Sequence, residues 1–456
     1  MAGKSFSMKP KDVPKVDTPF RKIVTKIPAP ESIPILEKLR TYEPVSMSGQ
    51  PLVVWDRAEG VQVYDKWGNM WLDWSSGVLV TNCGHSRAEV REAIINQVDH
   101  GLLHSYCFPN EPRALLAEKL VSISPDPLAK AFILTTGAET TENAIKLART
   151  YGVTTGGKKK IGIVTFEHAF HGRTLGAQLA GGIPALKEWI VNLDPAFYQV
   201  PFPDGFRCED TSFDLFEKSL ADQGVDPDSI AGVMTETYQG GGASFAPPKY
   251  IQALAKWCRK HGALLIMDEV QAGFGRTGKM FGFEHYGIVP DLVCFGKGIS
   301  SSLPVSAVIG RADVMNQYGP GEMTSTHTGN PVCAAAALAN IKLIEKEGLV
   351  ENARKAGEVL LRELGKIKEK HSDIIGACHG LGLVAGLHMV KPGGKTPDGD
   401  LAFRVVERSV EKGLLFFSPV GFGGGTVKIA PPLTITEEAV LDGICALTEA
   451  IEEVRP

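Results

Sequence analysis

Two polar residues stand where apolar segments of the sequence end, and both have side chains suited to chemistry. Asp268 closes the run ALLIMD, and Lys297 follows the run DLVCFG with a glycine on each side. A lysine in a semi-buried pocket has a lowered pKa and can form a Schiff base with an aldehyde. An aspartate facing it across a ring could keep a pyridine nitrogen protonated, and these are the two requirements of pyridoxal 5′-phosphate. For either residue alone, a structural ion pair is the alternative.

A cofactor with a phosphate also needs an anion site, and one segment fits this need. FILTTGAETTENAIKLART predicts a strand, a Thr-Thr-Gly-Ala turn and a helix. Backbone N–H groups at such a helix start suit a phosphate dianion. Gly137 allows close approach of the backbone, and the small side chain of Ala138 leaves room. An ordinary strand-to-helix turn is the alternative.

Two further motifs are not expected to bind a cofactor or a metal. Residues 273–278 match GxGxxG, but Lys-Met-Phe-Gly-Phe follows them rather than a convincing helix, so a dinucleotide site is not predicted. His168 and His171 are three residues apart with no evident third ligand, so no metal site is predicted. The eight cysteines include no CxxC pair and signal neither zinc nor a disulfide framework.

The segments around these residues predict an α/β fold. Between about residues 110 and 310, helical stretches alternate with the apolar runs AFILTT, IGIVTF, AGVMTET, ALLIMDEV, DLVCFG and VSAVIG. Runs with so few charges are typical of strands buried on both faces of a parallel sheet that helices cover. The site in such a sheet lies beyond the carboxyl ends of the strands.

The flanking segments have a different pattern and divide the chain. Residues 1–50, rich in Lys and Pro, predict an extended arm or a disordered tail, and LVVWDRAEGVQVYDKWGNMWLDW predicts an antiparallel meander. After about residue 345, a charged helix, further strands and a last helix predict an α+β region. We therefore predict an N-terminal arm and small-domain segment over 1–85, a large cofactor-binding domain over 86–345 and a C-terminal small domain over 346–456.

Composition excludes several classes of protein. The 456 residues are 43% hydrophobic and 22% charged, which is typical of a globular protein and not of a coiled coil or a disordered chain. A net charge of −4 gives no electrostatic footprint for nucleic acid. No apolar run approaches about 18 residues, so no membrane span is expected. The basic start lacks the apolar segment of a secretory signal, and we expect a cytoplasmic protein.

The motifs together resemble those of class III aminotransferases, pyridoxal 5′-phosphate enzymes of fold type I related to 4-aminobutyrate and ornithine aminotransferases. The resemblance runs from about residue 50 to the end. It rests on GH at 84–85, TTGAETTENAIKLAR, FHGRT at 170–174, MDEVQAGFGRTG, FGKGIS, THTGNP at 326–331 and KIAPPLTI, in the expected order. It implies a large domain with a mostly parallel seven-stranded sheet and a smaller α+β domain formed by the N- and C-terminal segments.

The resemblance also implies roles for residues around the cofactor. Lys297 would be the Schiff-base lysine and proton carrier, and Asp268 would pair with the pyridine nitrogen. The other expected contacts are Gln271 at the 3-oxygen of the ring, Val270 and Phe170 on the ring faces, Gly137 and Ala138 at the phosphate, and Glu236 at the family's acidic position. Plain core packing is the alternative for Phe170, Val270 and Glu236. Thr326 would reach the phosphate of the neighbouring subunit, which implies a homodimer or a dimer of dimers.

Three residues are expected to contact the substrate, and one of them, Lys428, departs from glutamate-using members of the family. Arg173 in FHGRT corresponds to an arginine that binds a distal carboxylate in 4-aminobutyrate enzymes, with a structural salt bridge as the alternative. Lys428 stands where those members have a carboxylate-binding arginine, and Gly241 where they have the glutamate that holds it. A lysine lacks the planar fork that binds a carboxylate through two hydrogen bonds. Val78 falls in the expected substrate pocket.

We therefore expect transamination from an ω-amino acid or amine to a keto acid such as pyruvate or 2-oxoglutarate. Three alternatives remain open at this point. The same scaffold serves amino-acid racemases and epimerases, and the altered arginine position fits them too. A decarboxylating aminotransferase of the dialkylglycine type is the second alternative. A non-catalytic protein that keeps only the fold is the third, and the presence of Lys297, Asp268 and the phosphate turn argues against it.

Overall fold

The computed structural model describes residues 4–455, so residues 1–3 of the predicted arm and residue 456 lie outside the described residues. The chain divides into two compact units. The central unit comprises Ala88–Gly240 and Ser244–Val350. The terminal unit comprises the residues up to Arg87, Gly241–Ala243 and the residues from Glu351 onward.

The secondary structure is as follows. The strands are β1 (Val16–Asp17), β2 (Lys22–Ile23), β3 (Arg57–Glu59), β4 (Gln62–Tyr64), β5 (Met70–Asp73), β6 (Leu128–Leu134), β7 (Gly162–Phe166), β8 (Phe197–Val200), β9 (Ile230–Glu236), β10 (Tyr238–Gln239), β11 (Ser244–Phe245), β12 (Leu264–Asp268), β13 (Leu292–Phe295), β14 (Ser306–Arg311), β15 (Ile375–Leu381), β16 (Val384–Met389), β17 (Leu414–Leu415) and β18 (Thr426–Ile429). The helices are α1 (Ile33–Tyr42), α2 (Ser76–Leu79), α3 (Ala88–Asp99), α4 (Glu111–Ser122), α5 (Gly137–Gly156), α6 (Leu175–Ala180), α7 (Asp214–Asp222), α8 (Pro248–His261), α9 (Ala312–Met315), α10 (Pro331–Lys346), α11 (Leu349–Lys370), α12 (Gly399–Glu411) and α13 (Glu437–Val454).

The central unit is built on a seven-stranded sheet in the order β6-β14-β13-β12-β9-β7-β8. The pairings among β13, β12, β9, β7 and β8 are parallel, whereas β14 runs antiparallel to both β13 and β6. The predicted mostly parallel seven-stranded sheet is confirmed. The six apolar runs of the sequence correspond to β6, β7, β9, β12, β13 and β14. The edge strand β8 was not predicted, because three of its four residues are only partly buried and the strand forms no clear apolar run.

Helix α5 shows why the segment after β6 folds as predicted. The Thr136 hydroxyl accepts the Glu139 backbone N–H, and the Glu139 carboxylate accepts the Thr136 backbone N–H, which is a capping box. Thr140, Ala144 and Ala148 are buried at helical spacing, so one face of α5 is covered. This face packs on the central strands, which places the start of α5 at the carboxyl ends of those strands.

The terminal unit contains two antiparallel arrangements. The predicted meander is present as β3, β4 and β5, and the Asp65 carboxylate closes its turn by accepting the Trp67 and Asn69 backbone N–H groups. β15, β16 and β18 form a separate three-stranded sheet. The N-terminal arm is tied to α13 because Arg21 makes two hydrogen bonds to Asp442, at 2.5 and 3.0 Å. Within residues 4–455, no helix combines the length and the apolar character needed to cross a membrane.

Candidate active site

Three polar residues lie at the carboxyl ends of adjacent parallel strands in the central unit. Asp268 is the last residue of β12 and pairs in register with Glu236, the last residue of β9. Lys297 comes two residues after the end of β13, the neighbour of β12 on the other side. The Asp268 and Glu236 side chains are buried, and Lys297 is partly buried. The sequence predicts a site beyond these strand ends, and the fold brings the three side chains to that edge.

The Asp268 carboxylate is held on both of its oxygens. Oδ1 accepts the backbone N–H of Val270 at 3.0 Å, and Oδ2 accepts Nδ1–H of His171 at 2.7 Å. Burial on its own lowers the pKa of the His171 imidazole, but the hydrogen bond to Asp268 and the charges of Asp268 and Glu236 outweigh it, so the pKa is raised. A protonated His171 places a positive charge against the carboxylate of Asp268, at the position predicted for the partner of a pyridinium nitrogen.

Lys297 has the protonation behaviour of a nucleophile. Burial lowers the pKa of its ammonium group, and the charges of Asp268 and Glu236 reduce this effect without reversing it. A lowered pKa increases the fraction of free amine, which is the form that attacks an aldehyde or abstracts a proton. A lysine locked in a structural ion pair would have a raised pKa instead.

Glu236 has a positioning role that the sequence did not specify. Its carboxylate accepts the backbone N–H of Phe170 at 3.1 Å and that of Gly240 at 2.8 Å. Burial raises its pKa to about 7. A Cβ at Gly240 would lie 2.2 Å from Nε2 of Gln271 and 2.8 Å from Oε1 of Glu236, so only glycine lets these two side chains approach. Phe170, Glu236 and Gln271 are therefore connected through one small cluster.

The start of α5 offers free donors to an anion. Neither the backbone N–H of Gly137 nor that of Ala138 has a protein acceptor within residues 4–455. The capping box occupies the donors on either side, at Thr136 and Glu139. Unpaired N–H groups at the first turn of a long helix, together with the helix dipole, bind phosphate.

Close contacts join this phosphate turn to the other site residues. A Cβ at Gly137 would lie 2.7 Å from Cγ1 of Val270. A Cβ at Gly296, the residue before Lys297, would lie 3.3 Å from the same carbon and 3.5 Å from Cα of Gly137. The phosphate donors, Val270 and the lysine turn thus surround one small volume. The residues present fit pyridoxal 5′-phosphate, with the aldehyde at Lys297, the pyridine nitrogen at Asp268 and the phosphate at the α5 start.

Gly137→Ala is expected to weaken binding of pyridoxal 5′-phosphate. The new methyl group would overlap Val270 and push apart the phosphate turn and the ring position. Overpacking of this kind costs about 1–3 kcal/mol, which corresponds to about 5- to 150-fold weaker binding. Titration of the cofactor-free chain with the cofactor measures the change. Gly365→Ala is the matched control, because a Cβ at Gly365 within α11 meets no atom within 4 Å. Equal affinities for the two variants would contradict the phosphate assignment.

Arg173 is exposed beside the predicted ring position. Its guanidinium carbon lies 5.7 Å from the centre of the Phe170 ring. Within the part of the chain that the structure describes, Arg173 makes no ion pair, so the alternative of a structural salt bridge is not realised. The guanidinium is therefore available to a carboxylate from outside the protein.

Thr326 lies in an exposed turn of the central unit. The turn is anchored by Thr328, whose buried hydroxyl donates to the carbonyl of Ile133 at 2.7 Å. Among residues 4–455, no hydrogen bond joins the Thr326 side chain to Lys297 or Asp268. This exposure is what a residue would need in order to act on a neighbouring subunit.

The other two predicted substrate residues, Val78 and Lys428, belong to the terminal unit. Val78 is 43% exposed and has a φ of 64°, within a stretch at α2 where each residue from Ser76 to Leu79 has a positive φ. The Ser76 hydroxyl secures this stretch by donating to the carbonyl of Ala430 at 2.6 Å. The Lys428 side chain is buried on β18, which pairs with β16 at Gly386.

His171 is the site residue that sequence reasoning missed. The spacing of His171 and His168 led only to the prediction that they do not form a metal site. The available signal was its place in FHGRT, directly after Phe170. Its hydrogen bond to Asp268 spans 97 residues of sequence, and no local pattern predicts such a contact.

Comparisons with known proteins agree with this geometry. A family model described as aminotransferase class-III matches residues 45–451. A 4-aminobutyrate aminotransferase of Mycobacterium leprae (strain TN) is 34% identical over 446 residues, which cover 94% of this chain and 98% of that protein. A leucine/methionine racemase of Thermococcus litoralis is 35% identical over 412 residues, which cover 87% of this chain and 90% of that protein. The crystal structure of a thermostable (S)-enantioselective omega-transaminase from Thermomicrobium roseum matches with a TM-score of 0.83 and 30% identity, covering 92% of this chain and 95% of that one.

Proposed function

The chain belongs to the class III aminotransferases, which depend on pyridoxal 5′-phosphate, and on that premise we propose that it transfers the amino group of an ω-amino acid resembling 4-aminobutyrate to a keto acid. The observation that carries the proposal is the arrangement of Lys297, Asp268 and the α5 start around one volume. Arg173 is exposed beside that volume and makes no ion pair within residues 4–455, which supports a donor with a distal carboxylate.

Each residue of the cluster has a distinct task in this reaction. When bound, pyridoxal 5′-phosphate supplies an electrophilic carbon for the amine and a ring that accepts the electron pair released at the substrate carbon. Lys297 would hold the cofactor and, once released by the incoming amine, take the proton from the substrate carbon and return it on the cofactor side. Asp268, oriented by its hydrogen bond with His171, would hold a proton on the ring nitrogen.

Other residues orient the reacting groups. Val270 and Phe170 would enclose the ring from its two faces, and the Glu236 carboxylate fixes the Phe170 backbone. Gln271 would donate to the 3-oxygen of the ring. Gly137 and Ala138 would bind the phosphate through their backbone N–H groups. These contacts hold the substrate carbon close to Lys297 Nζ, and such positioning is a large part of the rate enhancement.

The acceptor proposed for this enzyme is pyruvate rather than 2-oxoglutarate. Glutamate-using members of the family bind the α-carboxylate of glutamate with an arginine, and Lys428 stands at that position. Gly241 stands where those enzymes have the glutamate that pairs with that arginine. A lysine binds a carboxylate through one point charge, so discrimination in favour of a dicarboxylic substrate is weaker.

The experiment that tests the function offers the cofactor-loaded chain a panel of ω-amino acids, simple amines and L- and D-α-amino acids. Each is supplied alone, with pyruvate and with 2-oxoglutarate. Loss of amine that requires a keto acid, with the aldehyde product and the new amino acid formed in equal amounts, is the expected result. No amine loss with any acceptor would contradict the proposal.

A second candidate function is racemisation of an amino acid. Its support is the leucine/methionine racemase among the relatives, together with Lys428 in place of the arginine. The same panel separates the two functions. Loss of optical rotation from a single α-amino acid with no keto acid present would establish the racemase.

Arg173→Met is expected to reduce kcat/KM for 4-aminobutyrate while leaving that for an uncharged amine such as n-butylamine nearly unchanged. The variant removes a hydrogen bond between charged groups that contributes about 1.5–3 kcal/mol, which corresponds to a decrease in kcat/KM of about 10- to 150-fold. Methionine keeps the apolar part of the side chain against Phe170. Steady-state kinetics with the two amines measure the ratio, and an equal loss for both would show that Arg173 does not bind the carboxylate.

We also propose that the enzyme is a homodimer. Leu103 and Phe108 form an apolar surface beside Thr326. Leu103 is 52% exposed to solvent and Phe108 is 74% exposed. The rings of His104 and His327 are 5.3 Å apart, and Asn330 donates to the carbonyl of Leu103, so this surface and the Thr326 turn are continuous. A second copy of the chain would cover the surface and receive Thr326 at its phosphate.

Thr326→Ala is expected to weaken retention of the cofactor without dissociating the dimer. One hydrogen bond to a charged phosphate contributes about 1.5–3 kcal/mol, so the cofactor should dissociate about tenfold faster or more. Dialysis against cofactor-free buffer, with absorbance readings and sedimentation in parallel, measures both properties. Thr324→Ala, two residues away in the same turn, is the control. Equal retention by the two variants would remove Thr326 from the phosphate site.

A cytoplasmic location is proposed on the state of the thiols. All eight cysteines of the chain are free, and free thiols are typical of a reducing compartment.

A further inference from the structure

The turn that carries Lys297 has a strained backbone. Residues Lys297–Ile299 form a 3-10 turn directly after β13, and Lys297 itself has a φ of 44°. This left-handed conformation is unfavourable for a residue with a Cβ, and it persists only where the surrounding structure holds it. Something outside the turn must therefore stabilise it.

Asn340, in the middle of α10, contacts this turn directly. Its Nδ2 donates to the carbonyl oxygen of Gly298 at 2.9 Å and to that of Ile299 at 2.9 Å. One amide group thus uses both of its hydrogens on the two residues that follow Lys297. The Asn340 side chain has no exposed surface, so water does not compete for these carbonyls.

The surroundings of Asn340 are apolar, so these two hydrogen bonds explain why an amide side chain stands at this buried position. The other buried residues of α10 are apolar: Pro331, Ala334, Ala336, Ala337, Ile341, Leu343 and Ile344. An amide among such side chains is costly to bury unless it is hydrogen-bonded. Its Oδ1 has no hydrogen-bond partner within residues 4–455, so only the donor side of the amide is satisfied. The function of Asn340 is therefore to donate these two hydrogen bonds to the turn of Lys297.

We propose that Asn340 is a positioning residue that sets the direction in which Lys297 Nζ meets the aldehyde carbon of the cofactor. Without its two donors, the carbonyls of Gly298 and Ile299 lose their partners in a buried place, and the turn relaxes toward an unstrained backbone. That relaxation rotates the Cα–Cβ bond of Lys297 and moves Nζ. The proposal rests on the proposed function, in which Lys297 holds the cofactor.

The test compares Asn340→Leu, which removes both donors and keeps the branched shape of the side chain, with a matched control. Asn352→Leu is that control, because Nδ2 of Asn352 also donates to two backbone carbonyls, those of Leu433 and Ile435 at 2.5 and 3.0 Å, but within the terminal unit. Asn340→Asp, which has the same size and lacks the amide donors, serves if Asn340→Leu does not fold. The first readout is the pH titration of the absorbance of the lysine-linked cofactor.

In Asn340→Leu, the titration midpoint is expected to shift by about one pH unit, a tenfold change in proton affinity. The kcat is expected to fall about 10²-fold with KM little changed, since a misplaced lysine affects the proton transfer more than binding. Asn352→Leu is expected to keep the wild-type midpoint. A midpoint in Asn340→Leu equal to that of Asn352→Leu would overturn the proposal and leave Asn340 with a packing role.

A second readout separates this proposal from the proposed function. Hydrogen exchange of residues 296–302 in the cofactor-free chain is expected to be about tenfold faster in Asn340→Leu, the equivalent of two hydrogen bonds, and unchanged in Asn352→Leu. If Lys297 did not hold the cofactor, the wild-type chain would show no absorbance from a lysine-linked cofactor, yet this exchange would still report on the turn. Unchanged exchange in Asn340→Leu would overturn the proposal whatever the cofactor result.

Discussion

Lys297→Ala is expected to abolish the covalent link to pyridoxal 5′-phosphate and to reduce turnover by at least about 10⁴-fold. The variant removes the amine that holds the cofactor and the base that moves the substrate proton. Within the described residues, Lys297 is the only lysine among the first three residues after β12 or after β13. Borohydride reduction followed by mass spectrometry locates the link, and the kinetics of amine loss measure the turnover.

Lys187→Met is the control for this experiment. Lys187 is also a partly buried lysine in the central unit, and burial lowers its pKa too. Its Nζ donates to the carbonyl of Gly181 at 2.8 Å and to Gln199, so its role is structural. The Lys187 variant should keep the covalent link. A reduced adduct on any lysine other than Lys297, or full activity in Lys297→Ala, would remove the assignment.

Asp268→Asn is expected to lower kcat by about 10²- to 10⁴-fold. The substitution keeps the size of the side chain and its acceptor for Val270 N–H, but it removes the negative charge. Breaking one partner of a buried charge pair costs about 3–5 kcal/mol, and each 1.4 kcal/mol is about tenfold in rate. The ring nitrogen would lose its proton, and the electron pair released at the substrate carbon would lose its acceptor.

The pH titration of His171 in the Asp268→Asn variant provides an independent test of the contact between the two residues. The hydrogen bond to Asp268 is what raises the pKa of His171 against the effect of burial, so the asparagine variant should have a lowered His171 pKa. His171 would then lose its proton at lower pH than in the wild type. NMR titration of the imidazole measures this change.

Asp291→Asn is the control for Asp268→Asn. Asp291 lies just before the start of β13, away from the carboxyl ends of the parallel strands, and its Oδ1 is 2.6 Å from a guanidinium nitrogen of Arg311. It should lower stability while preserving the absorbance of the bound cofactor. Equal activity of the Asp268 and Asp291 variants would contradict the role of Asp268.

Much of the central unit was predictable because buried parallel strands leave a clear local pattern. Six of the seven strands of its sheet appear as apolar runs, and three of these strands, β9, β12 and β13, end at or just before Glu236, Asp268 and Lys297. The edge strand β8 did not appear, since it is short and half-buried. In the terminal unit, the meander was visible because aromatic and β-branched residues flank a turn that Asp65 closes.

The sequence by itself determined the chemical identity of the site: a lysine, an aspartate and a glycine turn before a helix, in an order that resembles one family. It also determined the departures at Lys428 and Gly241 that bear on the substrate. Residue types and local periodicity suffice for these conclusions, because they reflect which side chains can react and which faces are buried.

Only the tertiary structure decided how these groups act on one another. Within residues 4–455, it paired His171 with Asp268, gave Arg173 no ion-pair partner and placed Asn340 against the turn of Lys297. It also set the directions of the pKa shifts at Lys297 and Glu236. Each of these depends on burial and on charges or donors contributed by residues far apart in the chain, and the local pattern of a sequence contains no record of such contacts.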